Sequence, residues 1–191
     1  MSYDAEATRR RIFEAAAAEF AARGLAGARI ERIATEARAN KQAIYLYFGS
    51  KEKLFGAVVR AKMDEIGGAT DIDPARLSEC VGRLFDWYQE HPELIRLLLW
   101  EALETRGEVQ GEDERRDAFR QKTDRFTDTG HSSRDVQDLM FTVFGLIAWN
   151  FAVPQLRRLI LDEDDDGAAL ARRRAAVVES ARVLAEAHRL A

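Results

Sequence analysis

The chain has 191 residues, 47% of them apolar and 32% charged, with three prolines and one cysteine. That apolar fraction excludes a disordered chain and the charge excludes an integral membrane protein. Cys80 alone excludes an intrachain disulfide framework and fits a reducing cytosol. The formal charge of −4, taken as a sum, argues against a nucleic-acid partner, but residues 1–62 hold 12 Lys+Arg against 7 Asp+Glu, net +5, and residues 63–191 hold 17 against 26, net −9. A basic module attached to an acidic body is the pattern this asymmetry suggests.

Scarce proline with abundant Ala, Leu, Arg and Glu predicts an all-α chain. Thr8-Arg9-Arg10-Arg11-Ile12-Phe13 has the outline of a twin-arginine export signal, but Glu14, Glu19 and Arg23 come directly after it, so no apolar region succeeds it. Instead residues 6–23 read as an amphipathic helix: Ile12, Ala16 and Phe20 share a stripe, with Arg9, Arg10, Glu14 and Arg23 outside it. Gly24 ends that helix. A second helix over residues 29–37 buries Ile30, Ile33, Ala34 and Ala37, and Asn40 caps a third over residues 41–47. Gly49 then breaks the chain, and Ser50 caps a fourth helix that begins Lys51-Glu52-Lys53-Leu54-Phe55. Two short helices joined by a tight turn and packed on a longer one form a helix-turn-helix.

The third helix needs Ile44 and Phe48 to hold it down, which turns Lys41, Gln42, Ala43, Tyr45 and Tyr47 outward. A lysine can donate to guanine O6 and N7, a glutamine amide can pair with adenine, and a small Ala43 permits approach to a thymine methyl. The Tyr45 and Tyr47 hydroxyls, and Lys51 at the next helix start, suit phosphate oxygens. Spacing alone reads the two tyrosines equally well as half-buried aromatics.

The residues Gly24-Leu25-Ala26-Gly27, Ile33-Ala34 and the unbroken run from Ala37 to Leu54, with Ile44-Tyr45-x-Tyr47-Phe48-x-x-Lys51-x-x-Leu54 at its heart, resemble the N-terminal DNA-binding domain of TetR-family transcriptional regulators. The resemblance runs ungapped from about Thr8 to Phe55. It implies that Lys41, Gln42, Ala43, Tyr45 and Tyr47 occupy recognition-helix positions, that Lys51 contacts phosphate, and that Arg29 contacts the backbone or an outer base. It also implies a homodimeric, ligand-responsive regulator of a palindromic operator, most often a repressor, with double-stranded DNA as partner and no cofactor. Two positions depart from the family pattern. Arg38 stands where the turn usually has Gly, so a left-handed conformation there would cost on the order of 1 kcal/mol. Ala28-Arg29 replaces the usual Thr or Ser cap of the second helix, removing roughly 1 kcal/mol.

These readings divide the chain into a helix-turn-helix DNA-binding domain, residues 1–50, and a C-terminal helical effector-binding and dimerisation bundle, residues 51–191, with residues 51–67 as the connecting helix. Gly67-Gly68 closes the fourth helix, Asp73-Pro74 opens a fifth, and His91-Pro92 opens a sixth over about residues 93–105. Residues 106–117 read as a polar connection or frayed helix start, and Phe119 and Phe126 stripe a seventh helix. The eighth, about residues 133–153, is apolar nearly all round, and the ninth, about residues 168–190, carries Val177, Ala181 and Leu184. A helix with two apolar faces needs a partner outside its own core, so the eighth and ninth are expected to form a four-helix homodimer interface, as in TetR-like proteins. Residues 139–153 are too short to span a bilayer and carry Thr142, Gly145 and Asn150, so a cytoplasmic protein without a membrane partner is expected.

A small-molecule effector entering the body would change the spacing of the two heads and lower DNA affinity. Trp87, Trp100, Phe126, Phe144 and Trp149 are candidate lining residues, with Glu101, Glu104 or Asn150 as polar anchors, although aromatics at helical spacing are also ordinary core. Asp162-Glu163-Asp164-Asp165-Asp166-Gly167 begins like a calcium loop, but Arg173 stands at the twelfth position where a bidentate Glu is required. His91, His131 and His188 have no zinc spacing, and no nucleophile or phosphate-loop motif occurs, so neither metal nor catalytic residues are expected. The rival reading is a helical enzyme or lipid carrier whose basic head binds a partner protein. Steep salt dependence with a palindrome preference would separate the two.

Overall fold

The computed structural model describes residues 2–69, 76–105, 107, 109–127 and 132–187, without the side chains of residues 2–4, 68, 69 and 125–127. Ten helices and no strand occur among these residues: α1 (Ser2–Gly27), α2 (Ile30–Glu36), α3 (Lys41–Phe48), α4 (Lys51–Ala69), α5 (Leu77–Glu90), α6 (Glu93–Glu104), α7 (Glu112–Thr127), α8 (Ser133–Ala152), α9 (Pro154–Leu161) and α10 (Asp166–Ala187). The Asp73-Pro74 cap, His131, His188 and the Phe126 side chain lie outside the described residues. The all-α reading holds. One helix was not anticipated: α9 starts at Pro154, where the missing N–H costs nothing, and ends at Asp162 in a left-handed conformation. The ninth predicted helix is therefore α10.

The chain forms two compact units whose limits fall after Asp64, Pro92 and Glu112. The first comprises Met1–Asp64 together with Glu93–Glu112. Its core gathers Ile12, Ala16 and Phe20 of α1, Ile33 and Ala34 of α2, Ile44 of α3 and Leu54, Phe55 and Val58 of α4. Phe20 meets Phe55 edge-on at 5.1 Å. Each such fully buried side chain contributes about 1.5–3 kcal/mol. Leu97 of α6 belongs to the same core, which is why α6 is part of this unit.

Gly24 does not simply end α1. At φ 70 and ψ −178 it breaks the helix, which resumes for one turn to Gly27. The α6 face opposite holds that break at three points. Arg96 Nε donates to Ala21 O at 2.9 Å. Trp100 lies so close to Gly24 that a Cβ there would stand 2.8 Å from its ring. Glu104 Oε2 accepts the N–H groups of Leu25 (2.5 Å) and Ala26 (3.0 Å), the first donors of the resumed turn. Arg96, Trp100 and Glu104 are spaced i, i+4, i+8, so one helix stripe grips the corner that leads into α2.

The second unit comprises Glu65–Pro92 and Asp113–Ala191. Within it α5 packs against α10 and α8, burying Val81, Leu84 and Phe85 with Val136, Leu139, Ile147, Val177 and Ala181. Phe151 of α8 stacks on Tyr88 (6.1 Å) and meets Phe85 at a tilt (5.0 Å). Gly82 brings α5 close to α10, and Asp86 receives both arms of Arg174 at 2.6 and 2.7 Å. No single helix among the described residues is long and apolar enough to cross a membrane.

Candidate nucleic-acid interface

The α2–α3 turn is built from backbone bonds and one strained residue. Arg38 N donates to Thr35 O and Ala39 N to Ala34 O, which closes α2 with Arg38 at φ 50. The left-handed arginine is the departure that its place in the turn foretold, and it costs about 1 kcal/mol relative to glycine. Arg11 Nε donates to Ala37 O at 3.2 Å and ties the turn to α1. Asn40 then caps α3, its Oδ1 accepting Ala43 N–H at 2.7 Å.

Only Ile44 of α3 is fully buried. Tyr47 and Phe48 pack half-buried against the core, with Arg9 over the Phe48 ring at 5.7 Å. Lys41, Gln42 and Tyr45 are exposed and Ala43 is half-exposed, so one continuous face carries a cation, an amide, a methyl and a phenol. Leu46, 81% exposed, adds an apolar group to that helix which the sequence reading did not single out. Gly49 at φ 80 turns the chain, and Ser50 Oγ accepts Lys53 N–H to start α4. Lys51 Nζ donates to Ala28 O at 3.4 Å, which sets its ammonium beside the start of α2.

Arg29 is the extended N-cap residue of α2 and its side chain makes no capping bond. Its N–H is instead accepted by Glu19 Oε1 at 3.0 Å, and the same carboxylate takes Arg32 Nε at 2.7 Å. Burial raises the Glu19 pKa, but the Arg32 hydrogen bond, the Arg29 N–H and the charges of Arg32 and Arg23 outweigh it and hold this carboxyl below its usual range. Lys41 also has a partner: its Nζ donates to Glu31 Oε1 of α2 at 2.8 Å, both side chains being exposed. That bond lowers the Glu31 pKa and raises that of Lys41.

The residues considered for an effector do not form one cluster. Trp100 and Glu101 belong to the first unit, Trp100 against Gly24. In the second unit Trp87 stacks on His91 at 4.5 Å, and Phe144 meets Phe119 edge-on at 6.3 Å. Trp149 and Asn150 are brought together: both line one concavity with residues of α9 and α10. No group of three or more potential metal ligands occurs among the described residues.

A three-helix head that presents a capped, polar helix beside a cationic helix start defines a helix-turn-helix DNA-binding protein. Residues 12–58 match the family described as bacterial regulatory proteins, tetR family, and residues 76–182 match the tetracyclin repressor-like C-terminal domain. The chain belongs to the TetR family of transcriptional regulators. It is 42% identical over 164 residues to the HTH-type transcriptional repressor SCO4008 of Streptomyces coelicolor, covering 83% of this chain and 85% of that one. It is 40% identical over 106 residues to the HTH-type transcriptional repressor NicS of Pseudomonas putida, covering 52% and 50%. Among solved structures, SCO4942 of Streptomyces coelicolor, assigned to transcriptional regulators, is 31% identical with a TM-score of 0.75, covering 93% of this chain and 97% of that one. A TetR-family structure from Mesorhizobium loti, 22% identical over 94% and 97% of the two chains with a TM-score of 0.59, shares the fold.

Proposed function

We propose that the chain is a cytoplasmic homodimeric repressor, a binding protein and not a catalyst, that holds a palindromic operator with two α3 helices and releases it when a small effector enters the second unit. The observation that carries this reading is the face of α3, where buried Ile44 anchors the helix while Lys41, Gln42 and Tyr45 stay exposed. In it Lys41 and Gln42 read base edges, Ala43 allows close approach, Tyr45, Tyr47 and Lys51 hold phosphates, and Arg29 contacts the flanking backbone. Both curated relatives carry the name of repressor. Dimerisation through α8 and α10 is supported by their outer faces: Phe141, Trp149 and Val183 are 83%, 59% and 50% exposed. A two-fold partner covering them would set the heads about one helical turn apart on DNA. Trp87, Phe144 and Asn150 are the effector contacts this reading retains in the second unit, and Trp149 is given to the dimer face.

The test is a titration of the full chain with duplex from upstream of its own gene and with random duplex of equal length, at two salt concentrations. Preference for a palindrome with steep salt dependence is expected, and equal affinity for both duplexes refutes the reading. Lys41→Ala should lower discrimination by roughly tenfold or more, because a base contact and not a general charge is lost.

A further inference from the structure

The α2–α3 turn carries conformational strain on a side chain that its packing does not use. Arg38 sits at φ 50, a region that glycine enters freely and that crowds the Cβ of other residues. The turn needs this conformation, since Arg38 N–H closes on Thr35 O and Ala39 N–H on Ala34 O. It does not need the arginine. Ala37 on one side is buried and Ala39 on the other is half-buried, whereas Arg38 is exposed. A glycine would satisfy the fold at lower cost.

The guanidinium is also uncommitted. Around the turn Arg11 Nε is occupied by Ala37 O and the Lys41 ammonium by Glu31 Oε1, while Glu19 is held by Arg32. Arg38 has no side-chain hydrogen bond or ion pair among the described residues. Asn40, Lys41 and Gln42 are exposed directly after it, so its charge extends the polar edge at which α3 begins. Lys51 lies at the other end of α2, against Ala28 O, and a helix of seven residues is about 10 Å long. The two cations therefore flank α2 and address different phosphates.

We propose that Arg38 is a DNA-backbone contact: its guanidinium grips a phosphate beside the start of α3, and the strained turn is retained because it presents that group. A guanidinium matches phosphate oxygens with two parallel hydrogen bonds. Such a contact adds affinity for any sequence and no preference among bases. The inference rests on the reading that α3 docks on DNA, and it adds a residue to that reading. A local role competes with it, since a cation just past the end of α2 also faces the negative end of that helix's dipole. The two roles differ in sign. A dipole role makes the arginine stabilising, whereas a phosphate role leaves it a strain on the free protein that only DNA offsets.

The experiment compares Arg38→Gly and Arg38→Gln with the wild-type full-length protein. It uses thermal unfolding without DNA, and fluorescence anisotropy on upstream and random duplex across a salt series. Arg38→Gly should raise the melting temperature by about 2–4 °C. It should also weaken both duplexes at least roughly fivefold, with a salt slope shallower by about two when both heads engage. Arg38→Gln keeps the strain and loses the charge, so it should weaken DNA to the same extent without the rise in melting temperature. Unchanged affinity and slope in both variants overturn the proposal. So does a lower melting temperature in Arg38→Gly, which gives the arginine to the α2 dipole. Loss of operator preference with random-duplex affinity kept overturns it too, by making Arg38 a base reader. The phosphate contact is measured on random duplex, so a wild type without operator preference refutes the operator reading and leaves this contact standing. Unchanged variants beside an operator-selective wild type refute only the contact.

Discussion

Lys41 does not wait on the surface as a free cation. Glu31 holds its ammonium at 2.8 Å, so a base edge or phosphate that recruits Lys41 must compete with a carboxylate already in place. Glu31 also brings a negative charge to the face where the phosphates arrive. Glu31→Gln should therefore tighten binding to operator and random duplex alike, by about two- to fivefold at low ionic strength, with the gain fading as salt screens it. Fluorescence anisotropy at two salt concentrations measures this. Weaker operator binding with unchanged random-duplex binding would instead make Glu31 the group that aims Lys41. The inward Ile44, the Asn40 cap and the arginine in the turn obey rules that act within a few residues, so they were legible along the chain. The Glu31–Lys41 pair spans ten positions across a turn, and only the crossing of α2 and α3 brings it together.

At the scale of elements, the corner between α1 and α2 depends on carboxylates that replace the missing Ser or Thr cap. Glu104 holds the resumed turn after Gly24, and Glu19 holds the Arg29 N–H. Glu104→Gln keeps an oxygen acceptor but loses the charge, which should cost about 1 kcal/mol and speed hydrogen exchange at the Leu25 and Ala26 amides ahead of the α1 core. Exchange confined to global unfolding would remove Glu104 from this role. Glu19 makes the corner pH-dependent in a stated direction. Its folded pKa lies below the unfolded value, so its stabilisation is fully present above the unfolded value of about 4.5 and is lost as pH falls through the lowered one. Urea unfolding should show wild type more stable than Glu19→Gln at pH 7, with the difference closing as pH falls toward 3. A constant difference would mean that packing and not charge is lost. Gly24 was legible as a helix breaker, but the chain resuming its turn was not, because the group that stabilises the resumption lies 78 and 79 residues away. α9 escaped for the opposite reason: eight residues with their apolar side outward and an arginine inward obey the helical period but invert the rule for which side is core.

For the molecule as a whole, the net charge of −4 is the sum of parts with different work. The segment of net +5 carries α2, α3 and Lys51, and the segment of net −9 repels DNA, so phosphate contact is left to the heads. Such a protein should lose affinity linearly on a log–log plot against salt, with a slope of about −0.9 per neutralised phosphate. Lys51 makes one phosphate contact per head in the proposed complex. Lys51→Ala should weaken operator and random duplex together and make the slope shallower by about two if both heads of a dimer engage at once. A change of about one would mean that a single head is bound at a time, and an unchanged slope would place Lys51 off the DNA, occupied by the Ala28 carbonyl it already reaches. Measured with Lys41→Ala alongside, the same slopes separate base reading from charge: loss of Lys41 should lower the preference for operator over random duplex, whereas loss of Lys51 should leave that preference unchanged.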